Sequence, residues 1–195
     1  IYHEHLSYHS VKPLVKFFEN NGMELINTMR VETHGGSLRG IAKLKEGKRQ
    51  LEKSVLNLVK AEESILLDKS ETFKKFHSNI QNINENLNNL LKEIKSEDKI
   101  VAGFGAPAKA TTLMYEFNLG PDYIDFIIDD SPLKQGLFSP GLHIPVFSSR
   151  VIKEKKIDYL LILAWNFADS IIKNNTDFKA SGGKFIIPLP NVTVI

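Results

Sequence analysis

Hydrophobic positions in the first 44 residues predict a short amphipathic helix followed by a β-hairpin. Apolar side chains between positions 11 and 21 recur at helical spacing. Residues 24–31 and 37–44 have the pattern of extended strands. The paired glycines Gly35 and Gly36 lie between these strands, which favours a hairpin turn.

Residues 46–96 have a different pattern, with no proline and a single glycine, Gly47, and they predict two helices. Apolar residues in the second helix recur in steps of three and four, a spacing typical of a coiled-coil seam. The favoured interpretation is a helical hairpin that acts as a connector, and the alternative is a seam for self-association. The stripe consists of Phe73, Phe76, Ile80, Ile83, Leu87, Leu90 and Ile94.

Short apolar runs alternate with helical stretches from residue 99 to the end of the chain. This alternation predicts an α/β domain, a Rossmann-like, doubly wound and mostly parallel sheet with helices on both faces. The chain is therefore divided into three parts, residues 1–44, 45–98 and 99–195. The predicted strands are 100–104, 123–128, 159–163 and 184–187, and the predicted helices lie near 107–118, 148–156 and 167–174.

The amino-acid composition excludes several kinds of site and partner for this chain. The chain has no cysteine, which excludes disulfides and thiolate metal sites within it and fits a cytoplasmic location. Its 25 basic and 23 acidic residues are spread widely, so nucleic acid is not an expected partner. No apolar run approaches the ~20 residues of a membrane span. The chain starts at Ile1 without an initiator Met or signal-peptide pattern, and we expect it to belong to a longer protein.

A glycine-containing turn follows the first strand of the α/β part. Gly103 and Gly105 let the backbone turn tightly, and the helix that follows offers free N–H groups and a positive dipole end to a phosphate. Pro107 suits a first helical turn, and Lys109 adds a charge. The dinucleotide fingerprint has a third glycine where this chain has Ala108. The segment is therefore compatible with two interpretations, a phosphate-binding site and an ordinary tight turn.

Other polar residues follow the later strands. Asp129 closes the second strand 26 residues after Gly103, where an acidic side chain of a dinucleotide site would hold ribose hydroxyls. The alternative is a solvated strand end. Loops at the carboxyl ends of parallel strands often bind ligands, so the presence of several such loops favours a binding site at this edge of the sheet. The loop residues concerned are Lys134, Gln135, Gly136, Pro140, Gly141, Trp165 and Asn166.

Histidines cluster at the start of the chain. His5 and His9 are four residues apart and would share a helix face, yet the metalloprotease pattern fails because Ser7 stands where its second histidine belongs. We therefore expect no metal site here. Acid–base chemistry is a second interpretation, since a histidine with its ordinary pKa of ~6.5 exchanges a proton near neutral pH. A solvated polar segment is the third.

Several ordered motifs together resemble the sugar C-methyltransferase family, which acts on nucleotide-linked keto-deoxysugars. The resemblance runs over essentially the whole chain and corresponds to the C-terminal portion of the family. The motifs are Tyr2-His3-Glu4-His5-Leu6-Ser7-Tyr8, His34-Gly35-Gly36-Ser37-Leu38-Arg39, Gly103-Phe104-Gly105-Ala106-Pro107-Ala108-Lys109, Lys134-Gln135-Gly136, Pro140-Gly141 and Ala164-Trp165-Asn166-Phe167.

The resemblance implies that residues 1–44 end a class I methyltransferase domain with its terminal helix and hairpin. S-adenosylmethionine would bind to a part that this chain lacks, so the chain alone is expected to be inactive. His5 matches the general base, with Tyr2 and Glu4 beside it. A nucleotide-diphosphate sugar is the expected substrate. The expected substrate-binding residues are His34, Gly103, Gly105, Ala106, Lys109, Asp129, Lys134, Gln135, Gly136, Trp165 and Asn166.

Two alternatives compete with this assignment. The glycine turn and Asp129 also suit an NAD(P)- or nucleotide-binding Rossmann module that transfers no methyl group. The apolar stripe in the second predicted helix suits a non-enzymatic interaction module.

The chain also departs from the family at Ala110, where glycine is expected, and at His9, where phenylalanine is commoner, and both differences bear on substrate preference.

Overall fold

The computed structural model describes residues 7–33 and 36–195. The described chain divides into two compact units, one within residues 4–78 and the other within residues 79–195. The predicted three-part division at 44/45 and 98/99 remains a prediction. None of the helices in the described ranges is long and apolar enough to cross a lipid bilayer.

The first unit contains the helix and hairpin that the sequence predicts. Its strands pair antiparallel from Met23 opposite Leu44 to Val31 opposite Ser37, with one irregularity between Leu25 and Asn27. A small apolar core forms where the two helices pack on the first strand, and its fully buried members are Val11, Leu25 and Val55. The elements are helix α1 (Val11–Asn20), strands β1 (Met23–Val31) and β2 (Ser37–Leu44), and helix α2 (Lys53–Ser64).

Helix α3 (Ser70–Ser96) carries the predicted apolar stripe, and its two ends have different environments. Phe73 and Phe76 are each 55% exposed. From Ile80 onward the stripe packs into the core of the second unit, where Leu87 is fully buried. Leu91 is also fully buried although it lies beside the predicted stripe, because this end of the helix packs a broader face than a coiled-coil seam.

The second unit is built on a six-stranded sheet with the order β5-β4-β3-β6-β7-β8. All neighbouring pairs from β5 to β7 are parallel, and β8 is antiparallel to β7. Ile195 extends this last pairing, because its N–H and C=O both bond to Phe185. The strands are β3 (Val101–Phe104), β4 (Phe126–Ile128), β5 (Val146–Phe147), β6 (Tyr159–Ile162), β7 (Lys184–Ile187) and β8 (Thr193–Val194).

Helices cover both faces of this sheet. Because successive strand residues point to opposite faces, Val101 and Ala102 enter two separate apolar clusters. One cluster is completed by α3 and α4, and the other by α5, α6 and α7. The predicted Rossmann-like α/β class is therefore confirmed. The remaining helices are α4 (Ala108–Glu116), α5 (Val151–Glu154), α6 (Ala168–Asn174) and α7 (Thr176–Ala180).

The strand order places a topological switch point between β3 and β6. From β3 the chain adds β4 and β5 on one side, and then continues with β6 and β7 on the other. Open α/β sheets of this kind bind ligands in the crevice outside the carboxyl ends of the two strands at such a point. The loops that follow β3 and β6 are therefore the first place to look for a site.

Candidate functional site

Gly103, within β3, and Gly105, in the turn that follows it, both lie where a Cβ would be crowded. Gly105 has φ +91°, and a Cβ placed there would lie 2.6 Å from the Cβ of Ala164. A Cβ on Gly103 would lie 2.7 Å from Cδ1 of Leu163. The turn and the end of β6 therefore approach each other closely, and any larger residue at either position would push them apart.

Asp129 joins the turn after β3 to the loop after β4. Its side chain is almost completely buried, and its Oδ2 accepts a hydrogen bond of 2.7 Å from the N–H of Ala106. Its Oδ1 accepts one of 2.9 Å from the N–H of Ser131, and Lys134 Nζ lies 3.2 Å from Oδ2. Burial alone would raise the pKa of Asp129, but these three donors outweigh it and the pKa lies below its usual value.

The residues that follow Asp129 bend back towards it. Gln135 donates from Nε2 to the carbonyl oxygen of Asp129 at 3.0 Å. Gly136, with φ +78°, donates its N–H to Val146 on the neighbouring strand β5. Because the N–H of Gly105 donates to the carbonyl oxygen of Ile128 and that of Ala106 donates to Asp129, neither of these two backbone donors of the turn is free for a phosphate.

Lys109 lies in the first turn of α4 and reaches across the crevice to the segment after β6. Its Nζ donates a hydrogen bond to Oδ1 of Asn166 and lies 4.8 Å from the ring centroid of Trp165 and 5.8 Å from that of Phe167. In the described part of the chain no carboxylate forms an ion pair with it. Partial burial lowers the pKa of Lys109 below that of an ordinary lysine.

This arrangement has the chemistry of an anion site. A partly desolvated ammonium group without a counter-ion gains more from a bound anion than a fully solvated one does. The aromatic rings of Trp165 and Phe167 lie beside the cation, and Phe167 is 60% exposed. A planar group such as a nucleobase could stack on such a surface.

A second concave region lies within the first unit. It is an open cleft of about 440 Å³ between the start of α1, the hairpin strands and α2. Its walls include His9, Arg30, Ser37 and Glu62. His9 is four residues from His5 in the sequence, and Ser37 is three residues from His34.

Glu62 of α2 holds the first turn of α1. Its Oε1 accepts a hydrogen bond of 2.5 Å from the N–H of Val11, and its Oε2 accepts one of 2.9 Å from the N–H of Lys12. Ser10 occupies the position before the helix but forms no capping bond through its side chain. The adjacent Glu63 instead pairs with Lys12 Nζ at 2.9 Å, and this bond and charge raise the pKa of Lys12.

The predicted site residues therefore fall into four groups, the last of which consists of the three glycines. Tyr2, Glu4, His5 and His34 lie outside the described residues. Ala106, Asp129, Lys134 and Gln135 surround the turn after β3, while Lys109, Trp165 and Asn166 meet across the crevice. Gly103 and Gly105 shape the backbone, and Gly136 faces β5. Ligand binding by these residues remains a prediction.

Sequence reasoning missed three contributors. Phe167 directly follows the predicted Trp165-Asn166 pair, and its place at the same strand end could have indicated it. Ser131 donates its backbone N–H to Asp129 two residues earlier, a spacing common in turns that start with Asp, so the local sequence could have indicated it. Glu62 is 51 residues away from its partner Val11 and leaves no local signal. Over the described ranges no group of three or more His, Asp or Glu side chains could hold a metal ion.

Comparison with known proteins finds a matching family model and a curated relative. A sequence model of the family described as C-methyltransferase C-terminal domain matches residues 32–190. The chain is also 33% identical over 195 residues to the C-methyltransferase NovU of Streptomyces niveus. That similarity covers 100% of this chain and 46% of NovU, so the chain spans about half the length of this relative.

Proposed function

Because this chain belongs to the C-methyltransferase C-terminal domain family, we propose that it is the acceptor-binding part of a sugar C-methyltransferase. The enzyme would move a methyl group from S-adenosylmethionine to a carbon next to the keto group of a nucleotide-linked deoxysugar. The observation that supports the substrate assignment is the partly buried Lys109 at the switch point of the sheet, which forms no ion pair within the described residues. S-adenosylmethionine would bind to a part of the enzyme other than this chain and supply an electrophilic methyl group.

The reaction needs a base, because a carbon next to a ketone is a poor nucleophile until it loses a proton. We assign that step to His5, whose imidazole would take the proton and leave an enolate. Tyr2 would donate a hydrogen bond to the enolate oxygen, and Glu4 would orient the imidazole. A general base of this kind contributes about 10²–10⁴-fold to the rate.

The crevice would hold the nucleoside diphosphate. Lys109 Nζ would pair with the diphosphate, Asn166 would offer its amide, and Trp165 with the exposed Phe167 would provide a stacking surface for the base. Asp129 would keep the turn after β3 in shape through its bond to Ala106. We expect His34 to contact the sugar.

An NAD(P)-binding module without methyl transfer is the second candidate. The strand order and the positive φ of Gly105 favour it, since both occur in dinucleotide-binding sheets. The hydrogen bonds of Asp129 argue against an NAD(P)-binding module. Each carboxylate oxygen already accepts a backbone hydrogen bond and is therefore less available to ribose hydroxyls.

Calorimetry on this chain separates the two candidates. We expect a nucleoside diphosphate and its sugar conjugate to bind more tightly than NAD or NADP. Lys109→Ala should weaken that binding about 10- to 100-fold, because a charge-assisted contact is lost. Lys173→Ala is the matched control, since Lys173 is an exposed lysine of the same unit, and it should bind normally. Tight, selective binding of NAD would overturn the proposal.

The base assignment is tested in the full-length enzyme with a 4-keto-deoxysugar nucleotide and S-adenosylmethionine. His5→Ala should lower kcat by about 10²-fold or more. His9→Ala removes the neighbouring imidazole and is the control, for which we expect a small effect. Unchanged turnover in His5→Ala would eliminate His5 as the base.

A further inference from the structure

We infer that Glu62 is a positioning residue for the methyl transfer, through its hold on the first turn of α1. The inference rests on the proposed function, since it concerns the segment that leads back to His5. Val11, the first residue of α1, follows His5 by six residues. Six residues span at most about 20 Å, so the place where α1 begins limits the volume that the imidazole can reach.

The contact is a helix cap supplied from a distant part of the chain. The first N–H groups of a helix have no partner within it, and a side chain just before the helix usually accepts one of them. Here Ser10 does not do so, and the two oxygens of Glu62 accept the N–H groups of Val11 and Lys12 instead. The negative charge of Glu62 also matches the positive end of the α1 dipole.

The surroundings make this cap a fixed point. Val11 is 1% exposed and packs with Leu25 and Val55, so the first turn of α1 is anchored both by its backbone and by its side chain. Ser7 and His9 are exposed and lie in neither a helix nor a strand. The cap therefore lies where α1 begins, next to the segment that carries the proposed base.

The cap also adjoins the cleft of the first unit. Glu62 lines that cleft together with Ser10 and Val11, and Ser37 lies on its other wall. Since both oxygens of Glu62 are occupied by backbone donors, the carboxylate serves the protein backbone and is not free to act on a substrate. Glu62 would therefore affect the reaction indirectly, by fixing the position of the first turn of α1.

The test compares three variants of the full-length enzyme. Glu62→Gln removes the charge and one acceptor, and it should lower kcat about 5- to 10-fold, with the KM for S-adenosylmethionine unchanged. Glu63→Gln is the matched control, because Glu63 is the next residue on α2 and pairs only with the side chain of Lys12 among the described residues. It should keep kcat within about 2-fold. Ser10→Asp in the Glu62→Gln background supplies a local cap and should restore kcat.

Amide exchange in the 195-residue chain gives a readout that does not depend on activity. Glu62→Gln should speed exchange at Val11 and Lys12 about 5- to 10-fold, and the added Ser10→Asp should slow it again. Lowered kcat without faster exchange, or without rescue by Ser10→Asp, would overturn the inference because Glu62 would then act on the reactants. Faster exchange with normal kcat would overturn it as well, leaving a cap without a role in the reaction.

Failure of the proposed function has a different signature. If the wild-type full-length enzyme transferred no methyl group to any nucleotide-linked keto sugar, the proposed function would fall and this inference with it. The exchange at Val11 and Lys12 would still respond to Glu62→Gln in that case. If only the base assignment were wrong, His5→Ala would keep its turnover, and this inference, which acts through the position of His5, would fall with that assignment.

Discussion

The carboxyl group of Asp129 accepts hydrogen bonds that the sequence pattern would assign to a ligand. Its position at the end of β4, 26 residues after Gly103, predicts a contact with ribose. In the folded chain its oxygens accept the N–H groups of Ala106 and Ser131. Spacing along the chain could indicate the strand end, but the direction of the side chain depends on the neighbouring turn, which only the folded sheet brings close.

Asp129 should make the stability of this chain depend on acid. Because folding lowers the pKa of Asp129 from its usual 3.8, its contribution is present above that value and is lost as the pH falls through the folded-state pKa. Asp129→Asn should therefore destabilise the chain by about 1–3 kcal/mol at pH 7, and the difference from wild type should shrink in acid. Denaturant unfolding from pH 2.5 to pH 7 measures both curves.

Asp130→Asn is the control for that measurement, since Asp130 is the exposed neighbour. It should unfold with the pH dependence of the wild type. Equal pH dependence in wild type and Asp129→Asn would contradict the stabilising role assigned to the Asp129 carboxylate.

Helix α3 shows which part of an element its sequence can predict. Its length and its period of three and four residues were sufficient to predict a helix, and α3 spans 27 residues. The apolar period did not reveal that Phe73 and Phe76 would be exposed while Leu91 would be buried. Burial depends on which elements lie against each turn of the helix, and that information lies in distant parts of the chain. Strands of two residues such as β5 and β8 are likewise too short to show a period.

The two ends of α3 should respond differently to truncation of a large side chain. Leu91→Ala removes a fully buried side chain and should lower the free energy of unfolding by about 2–5 kcal/mol, because it leaves a cavity in the core of the second unit. Phe76→Ala, on the same helix, should change it by no more than about 0.5 kcal/mol. Denaturant titration monitored by circular dichroism compares the two. A large loss in Phe76→Ala would show that its exposed face is covered in solution.

At the scale of the molecule, the changes of hydrophobic pattern were sufficient to predict the Rossmann-like α/β sheet. The structure separates the units between residues 78 and 79, inside α3. Helix α3 continues through this point without proline or glycine, so no break in the helix marks it in the sequence. The strand order could not be predicted from the sequence either, because β3 pairs in parallel with both β4 and β6, and the connections to these two strands differ greatly in length.

The assignment of the diphosphate to the switch-point crevice predicts where a nucleotide will protect the chain. A nucleoside diphosphate without sugar should slow amide exchange in the turn after β3 and around Trp165, and leave residues 36–78 unchanged. Hydrogen exchange with mass spectrometry measures this, and Lys109→Ala should abolish the effect at the same nucleotide concentration. Protection confined to residues 36–78 would contradict the assignment.

The short strand β8 has a consequence for how this protein is handled and stored. It pairs with Ile186 and Ile187, and Ile195 bonds in both directions to Phe185. Without residues 193–195, β7 would present an uncovered row of N–H and C=O groups flanked by bulky aliphatic and aromatic side chains, a known template for aggregation. Loss of these three residues would then be enough to make the protein aggregate and precipitate.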